Sequence, residues 1–344
     1  MKKIFNKNEL FVIAEMSANH QNNFNKAKKI IKEVSKSGAS AIKFQTFRPD
    51  EMTLNLDSKS FKIFEKTSLW KGKKLFDLYK KSSMDWDWQK KLFKYARQCG
   101  LLPFSSPFGS DSLKFLIKQK CEIFKVASLE NSHFPLLKNL ANTNKPIIIS
   151  TGSATEKEIT ESIKYLKKHR CKDITILQCT SVYPANPTDL NLLAIPYLKK
   201  KFRCRVGFSD HSIGINSALT AVALGAEVIE KHVKLNKNDK SLDSKFSITT
   251  KELKDFVIKA KEVKNSMGKK FFLTKSEKFA RMRRRSIIAI RNISKNERLS
   301  KQNIRVLRPN IGLNPKYYEY VIGKKINRNI KIGSPIKINF LNKK

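Results

Sequence analysis

Eight short apolar runs, each closing on residues able to do chemistry, narrow the folds open to this chain. They are LFVIAEMS (10–17), AIKFQTF (41–47), LLPFSSP (101–107), IFKVAS (123–128), PIIIST (146–151), ITILQCT (174–180), RVGFSD (205–210) and EVIEKHV (227–233). Runs of this length, rich in β-branched and aromatic residues, predict strands, and their near-continuous apolarity predicts cover on both faces. Between them the apolar period becomes helical, as in NKAKKIIKEVSKSG, TEKEITESIKYLKKH and NSALTAVALGA. Several of these segments stop at glycine, as helices do. Eight strand–helix units predict an α/β fold, a closed (β/α)8 TIM barrel, in preference to an open doubly wound sheet. The C-terminal strand ends of a barrel share one mouth. There the sequence puts Glu15, Lys43, Gln45, Ser106, Lys125, Ser128, Ser150, Gln178, Ser209, His211, Glu230 and His232.

Residues 48–100 are too long for one strand–helix connection. Their aromatic-rich part, LWKGKKLFDLYKKSSMDWDWQKKLFKYA, predicts a lid or rim over the mouth. After the eighth run, TTKELKDFVIKAKEVKNSMG (249–268) predicts a closing helix with Thr249 or Thr250 as its N-cap and Gly268 as its stop. The expected organisation is a catalytic barrel over residues 1–268, a basic linker over 269–285, and a small domain of turns and short strands over 286–344.

The formal net charge of +42, from 71 Lys and Arg against 29 Asp and Glu, would suit a nucleic-acid or anionic-membrane partner if it were concentrated. It is not. Lysines are spread over nearly every segment, often beside asparagine, with no stripe interleaved with aromatics, which reads as a solvated surface. The one dense run, RMRRRS (281–286), is expected to pack along the barrel rim or to position the small domain, and nucleic acid is not expected as a partner. Five cysteines without a CxxC pair give no disulfide framework and point to a reducing compartment. The apolar stretch at the start is too short for a signal peptide, and no run approaches the ~20 residues that span a bilayer. A cytoplasmic, soluble protein without membrane contact is therefore expected.

Only five histidines occur, and two of them, His211 in SDHS and His232 in EKHV, close consecutive predicted strands beside an acid or one residue beyond it. In a barrel these two are neighbours. They read either as paired ligands for Mn2+ or another divalent first-row metal, with open positions for water, carboxylate or substrate oxygen, or as ordinary rim histidines. Lys43 and Lys125 each interrupt an apolar strand, where burying an ammonium is costly without an anion. A structural ion pair with Glu15 or Glu130 is one reading. The other joins both cations with the hydroxyls of Ser106, Ser128, Ser150 and Ser209 in a cavity for a phosphate or carboxylate. Glycine-rich nucleotide loops are absent, so a small phosphorylated acid is implied. Glu230 lies on the same side of its strand as His232 and is read as a water-activating or proton-shuttling acid, or as a partner that orients a ligand.

The motifs IAEMSANH, IKFQTF, FSSPF, FKVASLE, IISTGSAT, QCTSVYPA, GFSDHSIG and IEKHV, in this order, resemble those of the sialic acid synthase family, and RPNIGLNPK with IKIGSPI resembles the antifreeze-like (SAF) domain that ends those enzymes. Within the family, LWKGKKLFDLYKKSSMDWDWQKKLF and RRRSIIAI look most like pseudaminic acid synthases. The resemblance implies condensation of phosphoenolpyruvate with 2,4-diacetamido-2,4,6-trideoxy-L-altrose to give pseudaminic acid and phosphate, with another N-acetylated sugar, as in N-acetylneuraminate or legionaminate synthases, as the alternative. It implies a divalent metal on His211 and His232, Mn2+ before Mg2+ or Co2+. It implies phosphoenolpyruvate and sugar among Lys43, Gln45, Ser106, Lys125, Ser128, Ser150, Ser181, Tyr183 and Ser209. Glu15 and Asp243 would contact the sugar, with Glu230, Glu15 and Lys125 in the chemistry. It further implies a domain-swapped homodimer in which Arg308 reaches the sugar's acetamido group in trans. The chain departs from the family pattern twice: SLDSKFS keeps Asp243 without the usual Gly-Pro turn, and LQC places Gln178 where a histidine is common.

Overall fold

A computed structural model describes residues 4, 5, 9–64, 70–268 and 273–342. All eight apolar runs are strands: β1 (Phe11–Glu15), β2 (Ala41–Thr46), β3 (Leu102–Pro107), β4 (Phe124–Val126), β5 (Ile147–Ser150), β6 (Ile174–Cys179), β7 (Arg205–Asp210) and β8 (Val228–Lys234). They pair in parallel in sequence order, and β1 pairs with β8 from Phe11↔Val228 to Glu15↔His232, so the barrel closes. A two-residue strand, β9 (Ile248–Thr249), adds to the end of β8. Closure brings strands close together at one point in particular. Gly207 on β7 sits where any Cβ would overlap the Val228 carbonyl oxygen of β8, so no larger residue fits there.

Helices cover the outside, and each buries one apolar stripe. On Phe24–Ser35 the buried set is Ala27, Ile30, Ile31 and Val34, a helical spacing. Phe93 of helix Trp86–Gln98 packs its ring 5.1 Å from that of Phe44 on β2. The closing helix, Thr250–Ser266, begins as expected: Thr249 accepts the Glu252 N–H at 3.2 Å while the Glu252 carboxylate accepts the Thr249 N–H at 2.7 Å, a reciprocal cap. Among its described residues the long connection after β2 holds two short α-helices, Pro49–Met52 and Leu75–Ser82, and a 3-10 turn, Lys59–Phe61, before Trp86–Gln98 begins.

The chain separates into two compact units, Met1–Gly268 and Lys269–Lys344. Within the second, the stretch read as a linker contains a helix, Lys275–Ala280, started by Thr274 accepting the Glu277 N–H at 3.2 Å, and a 3-10 turn, Arg281–Arg283. Two antiparallel strands follow, β10 (Ser286–Ala289) and β11 (Ile304–Leu307), in the register Ser286↔Leu307. Their inner residues join Val321, Ile326 and Ile336 in a core separate from that of the barrel. Among the described residues no helix is long and apolar enough to cross a membrane.

Candidate active site

Parallel pairing sets the geometry of the mouth. Glu15, the last residue of β1, stands directly between Lys43 on β2 and His232 on β8. On the other side of β8, Glu230 pairs with Ser209 of β7, and Cys179 pairs with Ser209 from β6. Strand alternation therefore aims Glu15, Lys43, Ser209, Glu230 and His232 at one hollow. That hollow is a cavity of about 470 Å³ which Lys43, Gln45, Ser106, Lys125, Ser128, Ser150, Ser181, Tyr183, Ser209, His211, Glu230, His232 and Asp243 all line. Glu15 lies beneath it, fully buried.

Both cations carry anionic or hydroxyl partners. The Lys43 ammonium is paired with Glu15, lies 3.4 Å from Glu230 and donates to Ser106 at 3.3 Å. Thus the structural ion pair foreseen for Lys43 exists, alongside its place on the cavity wall. Lys125 donates to Ser150 at 2.7 Å, and the Ser128 and Ser181 hydroxyls share a hydrogen bond of 2.6 Å. Burial would lower the Lys43 pKa, but Glu15 and Glu230 outweigh it and hold the ammonium charged. Two carboxylates facing one ammonium cannot both keep their usual acidity. Burial pushes Glu15 up to about 7, with Glu230 adding to the rise and Lys43 opposing it. Burial also works against ionised Glu230, yet Lys43, Lys125 and His211 prevail and keep it a carboxylate.

The two histidines meet edge to face, ring centroids 5.4 Å apart, with Tyr183 4.4 Å from His211 and Phe246 4.9 Å from His232. The His211 Nδ1 lies 2.9 Å from the Thr180 carbonyl oxygen, so this nitrogen carries a proton, and although burial opposes it the neighbouring Cys179, Thr180 and Glu230 raise the pKa of the ring. His232 is neutral: burial first, then the charges of His211 and Lys43, hold its pKa well below the usual value. Among the described residues its Nδ1, 4.0 Å from Asp243, is buried without a hydrogen-bond partner, and so is the Glu230 Oε2. Asp243 is held by the Ala18 N–H at 3.1 Å. Among the described residues no group of three or more His, Cys, Asp or Glu side chains is arranged to hold a metal ion.

Arg308 belongs to the second unit. It follows β11 in the second unit and lines a concavity there with Arg283, Arg284, Arg285 and Asn314. Gln178, where the family commonly has histidine, ties two loops together, donating to the Leu190 carbonyl at 3.1 Å and accepting from Thr151 at 3.1 Å. Sequence reasoning gave Glu130 only as a counter-ion. Its carboxyl lines the cavity, with one oxygen buried and unpartnered, and burial pushes its pKa up to about 7 against the pull of Lys125. Reasoning from the sequence also missed the pair beneath the histidines, Asp210 with Lys231, although SDH and EKH carry opposite charges in equivalent places.

Similarity to known proteins agrees with this geometry. The chain is 40% identical over 330 residues, 96% of each sequence, to pseudaminic acid synthase of Campylobacter jejuni subsp. jejuni serotype O:2. To the pseudaminic acid synthase of Helicobacter pylori it is 38% identical, covering 94% of this chain and 96% of that one. A crystal structure of N-acetylneuraminic acid synthetase from Leptospira borgpetersenii superposes with a TM-score of 0.71 at 31% identity, covering 79% of this chain and 90% of the other. A SAF domain model matches residues 284–342. The NeuB family model matches residues 30–271, which include β2 to β8, and the chain belongs to the NeuB family.

Proposed function

We propose that the chain condenses phosphoenolpyruvate with an open-chain N-acetylated sugar, and that the sugar is 2,4-diacetamido-2,4,6-trideoxy-L-altrose, giving pseudaminic acid and inorganic phosphate. The observation that carries this reading is the convergence of Lys43, Lys125 and four serine hydroxyls on the same cavity wall as the His211–His232 pair. Two ammonium groups and several O–H donors match the phosphate and carboxylate of phosphoenolpyruvate, and the cavity has room for a second substrate. The pseudaminic acid synthases to which the chain is similar over nearly its whole length support the choice of sugar.

The neutral His232, unpartnered among the described residues, and His211, oriented by the Thr180 carbonyl, suit a divalent cation, Mn2+ before Mg2+ or Co2+. Bound there, the cation would supply Lewis-acid polarisation of the aldehyde oxygen. The chain's own residues do the rest. Lys43, Lys125 and the serines hold phosphoenolpyruvate so that its C3 faces the aldehyde carbon, and a carbon–carbon bond forms between the two. Positive charge left at C2 is met by water, whose proton the Glu230 carboxylate is placed to take. The resulting tetrahedral carbon expels phosphate by C–O cleavage, and the two lysines balance the departing negative charge. The Tyr183 phenol, kept neutral by burial and by the neighbouring acids, serves as a hydrogen-bond donor. Asp243, on the cavity wall, is the acid that would contact the sugar, whereas Glu15, buried and paired with Lys43, would act through that lysine.

We place this reaction in the cytoplasm, supported by five free cysteines, three of them buried. We also propose that two copies associate and that Arg308 of one reaches the acetamido group bound in the other; the family resemblance supports this. The test is phosphate release from phosphoenolpyruvate in the presence of the altrose derivative, its legionaminic-acid counterpart or N-acetylmannosamine, with the nine-carbon acid identified by mass. Release that requires the first sugar supports the reading. Release equal with all three leaves only the condensation, and no release with any refutes it.

A further inference from the structure

The cavity has two unlike walls. One is the ring of charges and hydroxyls on the strand ends. The other comes from the connection after β2, whose Met52, Ile63, Trp70, Leu75, Leu78 and Tyr79 face the same space. Residues 48–82 carry eight lysines, yet among the described residues none of those lysines lines the cavity, and Ser82 is the sole non-aromatic polar side chain the segment presents there. A segment so rich in charge that shows the cavity an apolar face is built to meet something apolar.

The position of this wall is fixed at both ends. Trp70 lies 6.0 Å from Tyr183, whose ring in turn lies 4.4 Å from His211, so the wall starts beside the histidine pair. It ends at Tyr79, edge-on to Phe47 at 5.9 Å, and Phe47 itself packs on Phe108 at 5.2 Å. The segment is internally tied: the Ile63 N–H donates to Lys73 at 3.0 Å, and the Gly72 N–H donates back to Ile63 at 2.8 Å. A sugar whose aldehyde carbon is at the histidines, and whose reacting partner occupies the lysine wall, directs its remaining carbons along this apolar side.

We propose that Met52, Ile63, Leu75 and Leu78, from the described parts of the connection after β2 (48–64 and 70–82), form a specificity wall that selects a sugar ending in a methyl group over one ending in a hydroxymethyl group. The proposal rests on the condensation above and concerns the far end of the sugar only. A terminal hydroxyl buried against Met52, Ile63 and Leu75 meets apolar side chains and loses its water, and among the described residues the polar groups the segment shows the cavity are on Trp70, Tyr79 and Ser82. Apolar pockets discriminate against an added hydroxyl by about a hundredfold at most.

The experiment compares 2,4-diacetamido-2,4,6-trideoxy-L-altrose with its 6-hydroxy counterpart, measuring phosphate release by the wild-type chain, Ile63→Thr, Leu75→Asn and the conservative Ile63→Val. The expected result is a wild-type kcat/KM ratio of about 10 to 100 in favour of the methyl sugar. That ratio should fall to within about threefold in Ile63→Thr and Leu75→Asn and stay high in Ile63→Val, with KM for phosphoenolpyruvate unchanged. Equal wild-type use of both sugars overturns the wall while leaving the condensation standing. So does an equal loss on both sugars in the polar variants, which would make the segment merely structural. A changed sedimentation coefficient with an unchanged ratio would assign the apolar face to a second copy of the chain and also overturn it. No release with either sugar removes the condensation, and this inference with it.

Discussion

Lys231 and Asp210 face each other across β8 and β7 at 2.8 Å, both fully buried, each one residue before a cavity histidine. Asp210 also accepts the Ser212 N–H at 2.8 Å and its hydroxyl at 2.7 Å, and the Lys231 ammonium caps the Ser212 carbonyl. Because strand side chains alternate, the pair grips the far side of the two strand ends that carry the imidazoles. Removing one partner strands a buried charge. Lys231→Met should cost about 3–5 kcal/mol, seen as a lower urea midpoint, and Lys231→Met combined with Asp210→Leu should recover much of it.

His211→Ala and His232→Ala should each lower the rate of phosphate release about a thousandfold or more, the consequence of several kcal/mol of lost transition-state stabilisation. Titration calorimetry with Mn2+ should show the heat of binding disappear in both variants while circular dichroism is unchanged. Near-full activity with retained metal in His211→Ala would refute the ligand assignment.

Glu130 binds its proton more tightly in the folded chain, near pH 7, than its usual value near 4.5. Between those two pH values the folded state holds a proton that the unfolded state has released. Its contribution to stability is therefore present at low pH and lost as pH rises through that window, by at most about 1.4 kcal/mol per unit. His20, pushed down to about 4 by burial, slopes the other way between about 4 and 6.5. The expectation is accordingly a difference: between pH 5 and 7.5 the urea midpoint of Glu130→Gln should fall less, or rise more, than that of the wild type. Parallel curves would show that the carboxyl does not titrate there.

Gly152 sits against the Ser128–Ser181 hydroxyl pair, where an added Cβ would overlap the Ser181 hydroxyl and lie 3.1 Å from the Ser128 Cβ. Gly152→Ala should push the two serines apart without opening the barrel. The expected signature is a KM for phosphoenolpyruvate raised about tenfold, which is 1.4 kcal/mol, with kcat and thermal midpoint little changed. An unaltered KM would show that these hydroxyls do not touch that substrate.

Strand existence was legible because β-branched runs such as PIIIST and ITILQCT have no helical period, and β7 matches its predicted run RVGFSD end to end. The mouth was legible for the same reason: polar residues that break an apolar run stand out. What stayed hidden depends on pairing across strands. Nothing local to Asp210 or Lys231 announces that they are opposite each other, and nothing local to Glu15 says that it stands between Lys43 and His232. The aromatic-rich part of 48–100 suggests a lid or rim, but its lysines hide which face turns inward, because three-dimensional orientation and not composition decides which side chains meet the cavity. The helix Lys275–Ala280 was obscured in the same way by surrounding basic residues.

The pairing of β1 with β8 joins residues from opposite ends of the barrel sequence, and Glu15 owes its neighbour His232 entirely to that seam. Glu15 and His232 are more than two hundred residues apart in the chain, whereas the other strand neighbour of Glu15, Lys43, is fewer than thirty away. The wall that joins Glu15 to His232 therefore exists only where the last strand meets the first, and a fragment ending before β8 lacks it.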